Sequence, residues 1–399
     1  MSELPLFPVT TVGSWPRPDY LLRALRQWQQ GKLPREEFEG VADRAVLEAL
    51  QHQERAGIDL VTDGEQRRDN FYSFVADTLD GVRLMSLAEM LEVIEDKASF
   101  ERVLETLDVP AYAIKNPTCE GRISRQRALA LDEYLFLRHH TTRPIKVTLP
   151  GPYLLTRSMW VKEVTSAAYD SKEELGEDVV AILRQEMAEL REAGVRFIQL
   201  DEPVLTELVF TQGQTITFMC AALAARKDPA EELEFAVSLV NRVTDGLNGV
   251  RTGLHVCRGN WSREEDVLLT GSYQPLVPYL RRMDVRQLVL EFATPRAGSL
   301  RAVGEALADR ELGLGVVNPR TDETEDATAI AARVDEALQY FPPEAIFLNP
   351  DCGFGTFANR PLNTADVAER KLAAMVAAAE DLRARIPAAR TSREAAGRE

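Results

Sequence analysis

The sequence predicts an α/β fold, a (β/α)8 TIM barrel with an insertion between strands 2 and 3. Three observations predict it. Eight short β-rich runs recur along the chain, separated by helical or loop-rich sequence. The runs are mostly apolar throughout, as strands covered by helices on both faces of a parallel sheet would be. Polar residues gather at the ends of these runs, and in a barrel of parallel strands all those ends meet at one rim.

The elements follow in order. The first strand is read at PVTTVG from Pro8 and the second at IDLVTDG from Ile58. Between them, REEFEGVADRAVLEALQHQERAG has apolar residues at three- and four-residue spacing and ends in Ala-Gly, a helix with its stop signal. Residues 72–143 are too long for one crossover helix. They contain LAEMLEVIEDKASFERVLETLDV and PAYAIKNPTCEGRI, read as an insertion of helix plus hairpin on or beside the barrel. The third strand is PIKVTLPG from Pro144 and the fourth VRFIQLDEP from Val195, joined through the helical KEELGEDVVAILRQEMAELREAG. The stretches LPGPYLLTRSMW and DEPVLTELVFTQGQ read as extended loops after these two strands. The last four strands are TGLHVCRG from Thr252, VRQLVLEF from Val285, LGLGVVNP from Leu312 and AIFLNPD from Ala345. Residues 1–386 are thus one barrel domain. Residues 387–399, rich in small residues and locally basic, read as a flexible tail.

Composition excludes several classes. A formal net charge of −16 argues against gripping nucleic acid through its phosphates, which takes a basic face. No apolar run approaches the ~18 residues of a membrane span. The start lacks the basic region and long apolar run of a signal peptide. Four scattered cysteines make no disulfide framework, which points to a reducing cytoplasm.

The strand ends carry the chemistry. They include Ser14, Asp63 and Glu65, Thr148, Asp201 and Glu202, His255 and Cys257, Glu291, Asn318, and Asp351 with Cys352. One acidic residue after a strand is ordinarily a helix cap; a ring of them is harder to explain that way. His255 and Cys257 stand two apart on a strand, so they share a face. A redox role, a metal site and core packing are all open to such a pair. With Glu291 ending the sixth strand and Cys352 the eighth, the rim offers two thiolates, an imidazole and a carboxylate, a set suited to tetrahedral zinc. Carboxylate is the most easily displaced of the four, so Glu291 is the ligand expected to yield. Cys119 and Cys220 read as ordinary small apolar residues, and His52, His139 and His140 as surface or capping residues.

The segments TTVGSWPRP, DGEQRRDNFYSF, QLDEPVL, HVCRGN, LVLEFATPRAG and LNPDCGFGT, in this order, resemble the catalytic half of the cobalamin-independent methionine synthase family. The resemblance implies a zinc-dependent methyltransferase that binds homocysteine as a thiolate and methylates its sulfur. It places the metal ligands on His255, Cys257, Glu291 and Cys352, and the homocysteine-binding positions on Ser14, Glu65 and Asp201. It further implies a stand-alone core form, without the separate N-terminal barrel of the full-length enzyme. Zinc chemistry agrees, because a metal deprotonates a coordinated thiol and only the thiolate is a good nucleophile. Glu65 and Asp201 would receive the substrate ammonium; otherwise they would cap helices or pair with Arg17, Arg67 or Arg68.

One departure concerns the methyl donor. The full-length family has a histidine just after the seventh strand that helps protonate the departing folate. Here the region reads LGLGVVNPRTDETED, without histidine. A folate amine needs an acid to leave, and Asp322 or Glu323 would need a raised pKa to supply one. A Co(I) corrinoid leaves without a proton. The donor is therefore expected to be a methyl-corrinoid protein or methyltetrahydrofolate. Two other readings remain. Coenzyme M alkyltransferases also use His-x-Cys with a later Cys, and Arg17, Arg67, Arg68 and Arg258 could serve a sulfonate. A non-catalytic zinc-binding barrel would use all four ligands as a closed site.

Overall fold

A computed structural model of the chain describes residues 4–93, 115–210, 228–358 and 361–396. Six parallel strands form one continuous sheet in chain order: β3 (Val147–Pro150), β4 (Phe197–Asp201), β5 (Arg251–Val256), β6 (Gln287–Leu290), β7 (Glu311–Val317) and β8 (Ile346–Pro350). The first two predicted strands close the ring as single parallel bridges: Val9 pairs with Leu348 of β8, Thr10 with Leu60, and Val61 with Ile145 ahead of β3. Hydrogen bonds Thr10 N to Leu348 O (2.9 Å) and Lys146 N to Val61 O (2.9 Å) seal the two seams. The fold is the (β/α)8 barrel.

The strongly periodic helices form where the sequence puts them. Arg35–Ala56 ends at Gly57 (φ 86°) and Lys172–Ala193 at Gly194 (φ 106°). Both glycines take the left-handed conformation that stops a helix. Apolar strand residues and the inner helix faces merge into one core that includes Leu149, Leu200, Leu254, Leu290, Leu314 and Leu348. Among the described residues, no helix is long and apolar enough to cross a membrane.

Residues 72–143 contain an antiparallel pair, β1 (Leu79–Ser86) with β2 (Lys115–Arg125), and a short helix, Leu87–Val93. The rest of the predicted helix lies outside the described residues. Glu186, fully buried on the Lys172–Ala193 helix, ties the exit of this segment to the barrel. It accepts the backbone N–H of Leu129, Ala130 and Leu131 and pairs with Arg125 at 2.7 Å.

Three expectations change. The stretch after β3 is a helix, Pro152–Met159, instead of an extended loop. Its start is capped from the next strand: Glu202 accepts the N–H of Tyr153 (2.7 Å) and Leu154 (2.9 Å). Those are among the donors a helix N-terminus leaves free. Likewise Leu205–Phe210, after β4, is helical; Thr211–Gln214 of that stretch lie outside the described residues. The last helix runs from Ala365 through Ala396, so most of the segment from 387 continues a helix instead of leaving it as a tail.

Candidate active site

Six of the residues singled out by sequence line one cavity at the C-terminal rim: Ser14, Glu65, Asp201, His255, Cys257 and Cys352. Parallel register puts Asp201 of β4 beside His255 of β5. Cys257 follows β5 by one residue and shares its face with His255. Cys352 arrives from the loop after β8. The ligand atoms of His255, Cys257 and Cys352 all lie within 4.8 Å of one another, and all three residues are buried. Two soft sulfurs and a borderline imidazole nitrogen suit zinc chemistry.

Electrostatics within the cluster favour one thiolate, at Cys257. The Cys352 thiol, 3.9 Å from Cys257 Sγ, lowers the pKa of Cys257, and the His255 ring beside it adds to the effect against burial. Cys352 is driven up correspondingly. Asp201 Oδ1 lies 3.1 Å from His255 Nδ1. An ionised carboxylate only accepts, so this contact puts a hydrogen on Nδ1 and turns Nε2 into the cluster.

Glu291 departs from the sequence reading. Its carboxylate is not part of the described cluster. It is wholly buried and engaged by arginines: Arg258 N donates to Oε2 at 2.8 Å, Arg296 Nη2 bonds Oε1, and Arg320 Nη2 lies 3.4 Å from Oε1. Burial alone would raise its pKa, but the guanidinium groups of Arg296, Arg320 and Arg258 outweigh that and lower it. The next strand's end therefore supplies a charged carboxylate beside the cluster, held by cations that come from three different loops.

Glu65 is held in an uncommon conformation. Its φ of 54° is left-handed, rare outside glycine. Asp63 Oδ1 accepts its N–H at 3.1 Å, and Arg17 donates to its carbonyl at 2.8 Å. Such strain collects at sites where orientation matters. Thr148 Oγ1 donates to Glu65 Oε1 at 2.9 Å, whereas Oε2 is buried without a partner. Burial is the main cause that lifts its pKa, to about 7, with Arg68 pulling the other way. The carboxyl packs over bare backbone: a Cβ at Gly13 would collide with its Oε1.

Residues 7–381 match the cobalamin-independent synthase family, catalytic domain. The chain belongs to that family. It is 30% identical over 354 residues to the methionine synthase of Sulfurisphaera tokodaii, covering 88% of this chain and 87% of that one. The methionine synthase of Thermococcus kodakarensis is 30% identical over 383 residues, covering 96% and 95%. Among solved structures, a B12-independent methionine synthase from Shewanella sp. W3-18-1, in complex with selenomethionine, superposes with a TM-score of 0.73 at 25% identity, covering 96% of this chain and 99% of that one. The protein is a methyltransferase of this family.

Sequence reasoning missed part of the cavity wall. Phe71, Trp261 and Phe357 give it an apolar lining. Asn260 bonds Gly353 O at 2.7 Å and leaves its Oδ1 buried without a partner. Asn260 and Trp261 sit in the loop that carries Cys257, which was the available signal. Two expected alternatives for the arginines fail. Arg67 pairs with Asp43, and Arg258 spends its guanidinium on the carbonyls of Gly271, Ala297 and Glu291. Cys119 is buried on β2, and His52 pairs with Glu369 at 2.5 Å. His139 and His140 are exposed beyond a short helix. Cys220 lies outside the described residues.

Proposed function

We propose that this protein transfers a methyl group to the thiol of homocysteine, forming methionine, with His255, Cys257 and Cys352 holding a zinc ion. The carrying observation is the pairing, in one cavity, of that His-Cys-Cys cluster with two carboxylates that have oxygen to spare. Glu65 Oε2 is buried without a partner, and Asp201 Oδ2 accepts from no described donor. An ammonium brought between them would supply the missing hydrogen bonds and charge. No arginine or lysine lines the cavity among the described residues. A sulfonate thiol such as coenzyme M would find no cation there, which favours an amino-acid thiol over that rival. Ser14 offers a neutral hydroxyl for the substrate carboxylate.

Bound zinc would supply the Lewis acidity that keeps a coordinated substrate sulfur as thiolate at neutral pH. The chain's own residues do the rest. Asp201 and Glu65 fix the amino end, so that the sulfur points to the cluster. Phe71, Trp261 and Phe357 pack the methylene chain and thin the water around the nucleophile. Glu291 is our candidate for a fourth ligand that would be displaceable, and Arg258, Arg296 and Arg320 hold its carboxylate beside the cluster. In the transfer the new S–CH3 bond forms as the donor–CH3 bond breaks, and the donor keeps the bonding electron pair.

The donor follows from the missing acid. Asp322 is exposed, and its hydrogen bonds with Arg263 hold its pKa below the usual carboxylate value. It is a poor proton source for a departing folate amine. We therefore favour a methyl-corrinoid, carried by a partner protein, over methyltetrahydrofolate. The three described cysteines are free of disulfides, in keeping with a cytoplasmic setting. Methyl-transfer assays crossing homocysteine and coenzyme M with methylcobalamin and methyltetrahydrofolate test the proposal. Turnover of coenzyme M in preference to homocysteine would overturn it.

A further inference from the structure

A hydrogen-bonded chain runs from the barrel interior up to the cavity, and the family reading above does not account for it. Lys146, just ahead of β3, is buried inside the barrel. Its ammonium donates to the carbonyl of Thr11 and, at 2.9 Å, to Oε1 of Gln199. Both acceptors are neutral. A buried amine held by neutral oxygens is costly to fold in, so an apolar residue would be the cheaper filler.

What the lysine contributes is polarity. Burial lowers the Lys146 pKa to about 7, but charged or neutral its Nζ has N–H groups for both Thr11 O and Gln199 Oε1, and Gln199 turns its amide oxygen toward it. The amide nitrogen is thereby turned the other way. It donates to Val12 O at 3.1 Å and to Asp201 Oδ1 at 2.8 Å. Gln199 and Asp201 stand two apart on β4, on the same face. Asp201 Oδ1 thus meets two donors, Gln199 Nε2 and His255 Nδ1, while Oδ2 is left for the cavity. Val12 O and Asp201 Oδ1 hold the amide nitrogen, and Lys146 holds the amide oxygen from the other side. Removing the lysine frees the oxygen end, so the amide can tilt and its N–H bond to Asp201 weakens.

We propose that Lys146 and Gln199 are positioning residues for substrate recognition: they lock the Asp201 carboxylate so that Oδ1 serves His255 and Oδ2 is presented to the substrate ammonium. The proposal rests on the homocysteine reading and deepens it. Neither residue touches substrate; both act through Asp201.

The test is equilibrium binding to zinc-loaded protein, which needs no methyl donor. Homocysteine is compared with 4-mercaptobutyrate, the same thiol acid without the amine. Gln199→Leu and Lys146→Met are expected to weaken homocysteine about tenfold, the factor that 1.4 kcal/mol represents and within reach of one hydrogen bond to a charged group. Binding of 4-mercaptobutyrate is expected to stay the same, and zinc content by atomic absorption to match wild type. Gln199→Glu is the second variant should the others not fold. It keeps the shape and pairs with Lys146, yet offers Asp201 no N–H, so the same selective loss is expected. Weakening of both thiols together, or of neither, means a packing role and overturns the proposal. Asp201→Asn separates the two levels. If it loses the preference for homocysteine while the Lys146 and Gln199 variants keep it, the positioning role is wrong and the homocysteine reading stands. If wild type itself shows no preference, the homocysteine reading fails and takes this proposal with it.

Discussion

Replacing Glu65 with glutamine should make the protein more stable at pH 8 and a worse binder of homocysteine. The argument starts from burial. Glu65 is 2% exposed, and its Oε2 has no partner. Burial is the largest influence on its pKa, which rises from 4.5 to about 7 despite Arg68 and Arg17. At 1.36 kcal/mol per unit, that rise corresponds to about 3 kcal/mol. The sign follows from linkage. Between pH 4.5 and 7 the folded protein holds this proton more tightly than the unfolded chain does. The resulting stability is complete below pH 4.5 and is lost as pH climbs through about 7. Glutamine keeps the acceptor for Thr148 and never ionises, so it escapes that loss. Urea unfolding of metal-free wild type and Glu65→Gln at pH 4.5 and pH 8 reads the difference. The variant should gain up to about 3 kcal/mol relative to wild type across that interval. Parallel pH profiles for the two proteins would refute the reasoning. The same charge that destabilises the empty site is what an ammonium needs, so homocysteine affinity should fall in the variant, a trade of stability for function.

Four further outcomes are expected. Cys257→Ser and Cys352→Ser should lose zinc, read by metal content, while circular dichroism shows a folded barrel, because the apolar core carries the stability. Asp201→Asn should weaken homocysteine use by about 2 kcal/mol, the scale of a hydrogen bond between charged groups; equal turnover of homocysteine and its deamino analogue by wild type would exclude the role. Glu186→Ala should destabilise the fold by about 3 kcal/mol, since it strands two buried N–H groups, a third that is half-buried, and Arg125; an unchanged urea midpoint would contradict this. In single-turnover methionine formation, methylcobalamin should outpace methyltetrahydrofolate, because general acid help worth ~10²–10⁴-fold is missing for the folate; the reverse order would point to Glu323 or a water as the acid.

The sequence alone determined the features whose cause is local. Periodicity and an Ala-Gly stop placed the helices Arg35–Ala56 and Lys172–Ala193. The two-residue spacing of His255 and Cys257 put them on one face whatever lay beside them. Strand ends are marked by a change of residue type along the chain, so Ser14, Glu65, Asp201 and Cys352 were legible as rim residues. Tertiary structure decided everything that depends on which strand lies next to which. The helix Pro152–Met159 read as a loop because its cap, Glu202, comes from β4. That Glu291 is held by arginines was not legible, because Arg258 and Arg320 come from the ends of neighbouring strands. Lys146 and Gln199 read as unremarked strand positions, since only closure of the barrel brings Thr11, Lys146, Gln199 and Asp201 together. The physical reason is common to all three: a side chain's direction is set by its own backbone, but its partner is set by the register of neighbouring strands, which no single stretch of sequence encodes.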